Sequence, residues 1–489
     1  MAHQLPFSPP HLFDGNIFYP ERHTLAFSET LLAPAVASAP FLWLGAGQIL
    51  VYNLLFLSGF VLSGFGTALL LHDLTKSIGA AIVGGIVFAF LPFRMDHLAH
   101  LQIQQAEWIP LSLWAFHRVL ASGRIRDGLW LGLFVACQAL SCMYYGVFLA
   151  SYLVVAGGML LLSNPTIARA RLPMLAAGLI LAAALLAPAA KAYSAARHVV
   201  GERPRAEVVA GSAEWGHFIA PPDNNLLYRR WLARFGAPER RLFPGFLAIA
   251  LTAIALWPPW SITRAAYAVG LMFAVDMTRG FNGLTYQFLY EHILPFRALR
   301  IPARMAIMVG FSLAVLAGFG VARLASALRS PIARGALAFS LSIIALGEYL
   351  SVPLQLTTIP VTPPEIYGDL MRDHADSPTV AIVEFPVARE DPTYMYYSTF
   401  HWQNLLNGYS GFTPPSYIRL VQALEGFPDA RSLSELHWRG TRYALIHGEL
   451  SEPGEYERTI HRIDTCHCEL RLLARRPWLG REISLYRLD

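Results

Sequence analysis

Ten apolar runs limit what this chain can fold into. They lie near residues 48–71, 78–93, 108–122, 128–142, 143–162, 173–190, 242–257, 264–278, 304–323 and 335–352. A hydrocarbon layer supplies no hydrogen-bond partners, so a segment crossing it must pair its own backbone groups, and about 20 apolar residues in a helix do so. The chain is therefore read as mainly α, a polytopic membrane helix bundle of about ten spans. The composition agrees: 55% of residues are hydrophobic and only 15% charged, outside the balance of soluble domains. The division of 128–162 into two spans around Ser141-Cys142-Met143-Tyr144-Tyr145-Gly146 is open to a different cut.

Charge then divides the chain. Residues 48–352 are apolar with short interruptions, whereas 353–489 have soluble composition and read as a small α/β domain. Strand-like runs occupy 379–387, 442–450, 466–474 and 482–487, and helical spacing occupies 363–375 and 416–427. Residues 1–47 form a polar, aromatic loop followed by an apolar stretch, 30–44, which Pro34 and Pro40 suit better to the interface than to a span. The loops at 118–127, 163–172 and 323–334 carry the clear Lys/Arg excess and fall on one side, which the positive-inside rule makes cytoplasmic. Residues 1–47, 94–107, 191–241, 279–303 and the C-terminal domain then face the other side. Met1–Ser28 is not a signal peptide. Its "HLFDGNIFYP" reads as the second half of a loop, so a start upstream of Met1 is expected.

The chemistry gathers between two apolar runs, in Leu91-Pro92-Phe93-Arg94-Met95-Asp96-His97-Leu98-Ala99-His100-Leu101-Gln102-Ile103-Gln104-Gln105-Ala106-Glu107-Trp108. A connector that only turns the chain does not need an Arg, an Asp, two His, a Glu and three Gln. Asp96, His97, His100 and Glu107 suit acid–base work or a divalent ion, although no third ligand near His97 and His100 completes a metal set, and no metal site is assigned. Arg94 and Gln104 extend the same candidate binding surface. The plainer reading is that these groups cap the flanking helices and meet water. Asp96 is the residue singled out.

A second cluster, Arg297, Arg300 and Arg304 in "PFRALRIPARM", sits just before a span on the outer face. Guanidinium forks match phosphate oxygens, so a lipid-linked phosphate is one reading and helix anchoring in headgroups the other. Asp14 in "FDGN" is either a carboxylate able to deprotonate an acceptor hydroxyl or a turn residue ahead of Gly15. The arginines of 191–241 read as solvated surface, with phosphate or glycan contact as the alternative. Asp276 and Glu348, near span ends, read either as buried functional carboxylates or as helix ends. Four cysteines do not make a disulfide framework, and Cys466-His467-Cys468 lacks the partner pair of a zinc site. The aromatic stretch 391–417 suits either carbohydrate stacking or packing.

"HLFDGNIFYPERHTLAFSE", "FAFLPFRMDHLAHLQIQQAEWIPLSL", "PFRALRIPARM" and "LLNGYSGFTPPSY" together resemble bacterial multi-pass GT-C-like glycosyltransferases, similar to the lipoteichoic-acid-glycosylating membrane proteins. The resemblance spans nearly the whole chain in order. It implies a helix bundle with outer loops forming the site, a soluble outer domain, a polyprenyl-phosphate sugar donor and inverting transfer to an acceptor. It also implies a carboxylate in the first outer loop, where Asp14 is what this chain offers, and an acidic residue in a second outer loop, matched in kind by Asp96. The expected protein is a cell-envelope glycosyltransferase of the bacterial plasma membrane, with membrane lipid and a polyprenyl-linked sugar as partners and no nucleic acid. Mg or Mn is the one candidate cofactor. The alternative is a non-catalytic flippase, transporter or assembly partner that binds a lipid-linked sugar.

Overall fold

In the computed structural model, which describes all residues except 7, 375–378, 467 and 489, the chain divides into two compact units. One comprises Thr30–Pro188 and Glu202–Thr357; the other comprises Met1–Glu29, Ala189–Gly201 and Thr358–Asp489.

The larger unit is a helix bundle. Each of the ten apolar runs is helical, and among the described residues six helices are long and apolar enough to cross a membrane: Gln48–Thr75, Ile78–Met95, Met143–Leu162, Pro165–Val200, Pro302–Ser326 and Pro331–Tyr349. The other runs form Trp108–Ser122, Ile125–Ser141, Phe246–Leu256 and Ile262–Thr278. Serine opens several of them. Ser77, Ser261 and Ser330 each accept from the backbone N–H three residues on, satisfying a donor that the first turn leaves unpaired. Proline at the first turn of Pro331–Tyr349 fits because no intrahelical partner exists there for its missing N–H.

Burial separates centre from periphery. The most apolar window of Pro302–Ser326 is 89% buried, against 17% for Pro165–Val200, so the first is the axis of the bundle and the second offers most of its apolar surface outward. Ile78–Ala89, Phe246–Leu256 and Ile262–Thr278 all pack on that axis. Side chains such as Phe88, Phe311, Leu316 and Tyr267 form one continuous core with it. The polar stretch is folded against this bundle as two short helical turns, Pro92–Met95 and Leu101–Gln104. Gly59 makes room for it: a Cβ there would lie 2.3 Å from the Gln104 carbonyl oxygen.

The smaller unit is an α/β layer. Its strands are β1 (Ala381–Phe385), β2 (Asn404–Leu405), β3 (Thr441–His447), β4 (Leu470–Trp478) and β5 (Arg481–Leu488), in the order β2-β1-β3-β5-β4. β2, β1 and β3 are parallel, and β5 runs antiparallel to both β3 and β4. Every residue of β1 is buried, as expected of a parallel strand covered on both faces. Residues 1–29 belong to this unit through backbone pairing: Tyr19 N–H donates to Leu405 O at 3.0 Å, and Leu405 N–H donates to Asn16 O at 2.8 Å. The aromatic stretch opens with helix Asp391–His401, whose Tyr394, Tyr397 and His401 are buried inside the unit. Cys466 and Cys468 are joined by a disulfide, while His467 between them lies outside the described residues.

Candidate functional site

Three stretches distant in sequence meet in the bundle unit. Pro92 starts a helical turn that cannot continue the preceding span, and the chain then runs through Asp96, His97 and His100. Pro302 likewise opens the turn Pro302–Met305, which presents Arg304. The third stretch is the loop after residue 202, which delivers Glu239 and Arg241. Gly211 sets its approach, because a Cβ there would stand 2.5 Å from the Arg300 carbonyl oxygen, and Ala303 N–H bonds to Gly211 O at 3.2 Å.

Glu239 is the hub. Arg304 holds it at two points, Nε to Oε2 at 3.0 Å and Nη2 to Oε1 at 2.6 Å, the fork-to-fork geometry that guanidinium and carboxylate share. His97 Nε2 lies 2.9 Å from the same Oε2, and its Nδ1 lies 2.7 Å from the Phe93 carbonyl oxygen. Both ring nitrogens thus face acceptor oxygens, which fixes the orientation of the ring. Burial pushes the Glu239 carboxyl up, but the bonds from His97 and Arg304 outweigh it and hold it well below the ordinary range. Glu239 also has φ +65°, a left-handed backbone costing a non-glycine residue about 1 kcal/mol, the kind of strain that collects at working sites.

Asp96 is differently placed. Its nearest cation is Arg241, Nη1 to Oδ1 at 3.5 Å, and Arg241 is also engaged by Asp223. Burial pushes the Asp96 carboxyl up, and the opposing pull of His97 and Arg241 is too weak to reverse it. His100 stacks obliquely on His97, ring centres 5.9 Å apart, and its Nδ1 is buried without a hydrogen-bond partner. Burial, with Arg304 second, pushes its imidazole toward the neutral form.

Tyr144 ties the arginines into the site. Its hydroxyl accepts the Arg300 N–H at 2.7 Å, and the Arg304 guanidinium stands 5.2 Å over its ring. The Arg300 side chain is exposed, and among the described residues nothing pairs with its guanidinium. Arg297 is directed elsewhere, donating to the carbonyl oxygens of Tyr290 at 3.2 Å and Glu291 at 2.7 Å.

Two other candidates turn inward. Arg94 is fully buried, bonds to Ala89 O at 2.9 Å and Gln104 O at 2.7 Å, and lies 4.5 Å over the Phe60 ring. Gln104 returns its amide to Arg94 O at 3.1 Å and His97 O at 2.8 Å, which fixes the turn carrying His97. Both shape the site from behind. Glu107 is buried with Oε2 unpartnered, and burial pushes its carboxyl up to about 7, moderated by its own backbone N–H and by Arg94. Asp276 and Glu348 serve as backbone acceptors, Asp276 for Leu284 and Thr285, Glu348 for Phe246 and Leu247.

Asp14 lies in the smaller unit. Its Oδ1 accepts the His23 N–H at 2.7 Å and its Oδ2 meets His11 Nδ1 at 2.9 Å. Burial alone would raise its carboxyl; those contacts lower it below the ordinary range. As for a cation, the carboxylates near Asp96 are tied to arginine, and among the described residues no three His, Cys, Asp or Glu side chains gather to hold a metal ion.

Sequence reasoning missed Glu239, Arg241 and Tyr144. The one available signal was "PERR" at the end of an arginine-rich loop read as solvated surface.

No protein-family model matches the chain, and no curated protein matches it. Among solved structures it is similar to the arabinofuranosyltransferase AftD from Mycobacteria, with 13% identity and a TM-score of 0.65, over 100% of this chain but only 39% of that one. It is also similar to ArnT from Cupriavidus metallidurans (12% identity, TM-score 0.48, 100% and 91% coverage). A third is the archaeal oligosaccharyltransferase AglB from Archaeoglobus fulgidus (14%, 0.39, 91% and 64%), solved with an inhibitory peptide and a dolichol-phosphate. The chain thus spans about two fifths of the length of AftD, and that likeness is one of fold: a bundle of apolar helices with a small C-terminal α/β unit.

Proposed function

We propose that the chain is an integral membrane glycosyltransferase that moves a sugar from a polyprenyl phosphate to a hydroxyl acceptor outside the cytoplasm. One arrangement carries this reading: Asp96, beside His97, belongs to the polar cluster of Glu239 and Arg304. Tyr144, under the Arg304 guanidinium, holds the backbone N–H of Arg300, whose own guanidinium is exposed and among the described residues without a partner. Fold likeness alone does not establish an activity. Transfer needs these two functions together. A base takes the proton from the acceptor hydroxyl as its oxygen attacks the anomeric carbon. The bond from that carbon to the phosphate oxygen breaks, and the polyprenyl phosphate leaves with the electron pair and a gain of negative charge.

Asp96 is assigned the base, because a carboxylate destabilised by burial accepts a proton more readily than one held by partners. Asp14 and Glu239 are held in that second way. Arg300 is assigned the leaving phosphate, with Arg304 reinforcing the local positive field. Glu239 is a positioning residue that fixes both. His100, neutral and with an unpartnered nitrogen, is placed to bond a sugar hydroxyl.

The test is a transfer assay on the purified full chain with a panel of polyprenyl-phosphate sugars. Asp96→Asn and Arg300→Ala proteins that stay folded are expected to lose transfer. Normal transfer by either would remove its assignment.

A further inference from the structure

The smaller unit contains a second cleft unrelated to the transfer chemistry. Its volume is about 840 Å³, and it lies between Pro20-Glu21 and the helices Pro415–Leu424 and Ala430–Trp438. The spacing explains its lining. Ser416, Arg419 and Ala423 lie three and four residues apart on one face of the first helix, and Arg431, Ser434, Glu435 and Trp438 do so on the second. The two helices pack side by side, so the faces line one groove.

Trp438 is the unusual member. It is 76% exposed, and of the described tryptophans in this unit it alone is classed as exposed. Its ring is nevertheless steadied from one side. Arg439 stands 5.7 Å from the ring centre, bonds to Glu435 Oε1 at 2.8 Å and to Ser416 O at 2.9 Å, and is itself buried. Ser416 in turn donates to Glu21. A rigid network therefore presents the indole to water. Arg419 and Arg431 are exposed on the same groove, and among the described residues neither makes a salt bridge.

A flat indole face takes the apolar C–H face of a pyranose, and paired guanidinium forks take carboxylate or phosphate oxygens. We infer that this cleft binds a negatively charged carbohydrate, one bearing carboxylate or phosphate groups along its chain. A neutral glycan would leave both arginines unused, and a free anion would leave the indole unused. The site stands apart from the proposed transfer reaction and is read by binding alone.

The experiment is isothermal titration of the full chain in lipid nanodiscs with oligogalacturonate, phosphomannan, neutral maltooligosaccharide and inorganic phosphate. At least one of the two charged glycans is expected to bind, at least tenfold more tightly than the neutral chain or phosphate alone. Trp438→Ala and the double variant Arg419→Ala/Arg431→Ala should each weaken that binding about tenfold or more. Trp438→Phe, which keeps an aromatic face, should retain most of it and shows that the fold is intact. Failure of both charged glycans to bind overturns the inference. So does equal binding of the neutral chain, or of inorganic phosphate with Trp438→Ala unaffected. Glu239→Gln, which disables the proposed transfer site, should leave this binding unchanged, so the two readings fail separately.

Discussion

Arg304 holds Glu239 at two points, Nε to Oε2 at 3.0 Å and Nη2 to Oε1 at 2.6 Å, across 65 residues of sequence. The same carboxylate meets His97, so one side chain fixes both the arginine turn and the histidine turn. Removing one partner of a buried pair strands the other, at roughly 3–5 kcal/mol when burial is complete. Glu239 is 23% exposed, so Glu239→Ala is expected to cost about 2–3 kcal/mol, read as a lower thermal midpoint of the detergent-solubilised protein. A positioning role adds a loss of kcat beyond that of an equally destabilised variant elsewhere in the bundle. Glu239→Gln, of the same shape, should lose kcat while keeping more of the stability.

The arginines of 297–304 part company. Arg300 has an exposed guanidinium without a partner among the described residues, whereas Arg297 spends donors on the carbonyl oxygens of Tyr290 and Glu291. A hydrogen bond to a charged group contributes about 1.5–3 kcal/mol, or roughly tenfold to a hundredfold in an equilibrium constant. Arg300→Ala should therefore weaken the productive hold on a polyprenyl-phosphate donor by that factor, and Arg300→Lys should recover only part of it. Arg297→Ala should change donor dependence little. Initial rates against donor concentration for the three variants separate these outcomes.

The sequence located the chemistry better than it oriented it. Backbone satisfaction in hydrocarbon leaves apolar runs only the helix, so all ten were legible as helices, although among the described residues only six of them are long and apolar enough to cross a membrane. The polar stretch 91–108 and Arg300 and Arg304 were legible as polar groups beside spans. Which way each side chain points was not. Arg94 and Gln104 read like surface groups, yet each bonds the other's carbonyl in the interior, a choice made by tertiary packing against Gly59 and Phe60. Glu239 was missed because its partners lie 65 and 142 residues away and its left-handed backbone leaves no mark in composition. The pairing of residues 16–19 with Leu405 and Asn407 joins segments almost 390 residues apart, beyond the reach of any local pattern.

Asp96 gives the transfer reaction its expected pH dependence. Burial raises its carboxyl above the ordinary range, while His97 and Arg241 pull the other way. A base works unprotonated, so kcat/KM should fall on the acid side at a pH above that of an ordinary aspartate. Arg241→Gln removes one of the lowering charges, and the acid limb should move to still higher pH. Asp96→Asn should cost 10²-fold or more, the usual range for losing a general base. An acid limb that stays put in Arg241→Gln would assign it to a different group.

The α/β unit holds a second pH-sensitive group, unconnected with transfer. His447, at the end of β3, is fully buried, with Nε2 2.7 Å from Glu384 Oε2 and Nδ1 2.9 Å from Glu449 Oε1. Burial alone would push its imidazole down, but the two carboxylates outweigh it and bring it up to about 9. A histidine whose folded value exceeds its unfolded value of about 6.5 stabilises the fold in its charged form. That contribution is fully present below about pH 6.5 and is lost as pH rises through about 9. A gap of about 2.5 units is worth about 3 kcal/mol. The thermal midpoint of this unit should therefore fall between pH 6.5 and 9.5 in the wild-type chain, beyond the loss shown by His447→Gln. In that variant, with no titrating ring between Glu384 and Glu449, the fall should largely vanish and the protein should be less stable at pH 6.5. Parallel pH profiles in the two proteins would show that the imidazole between these carboxylates carries no charge in the fold.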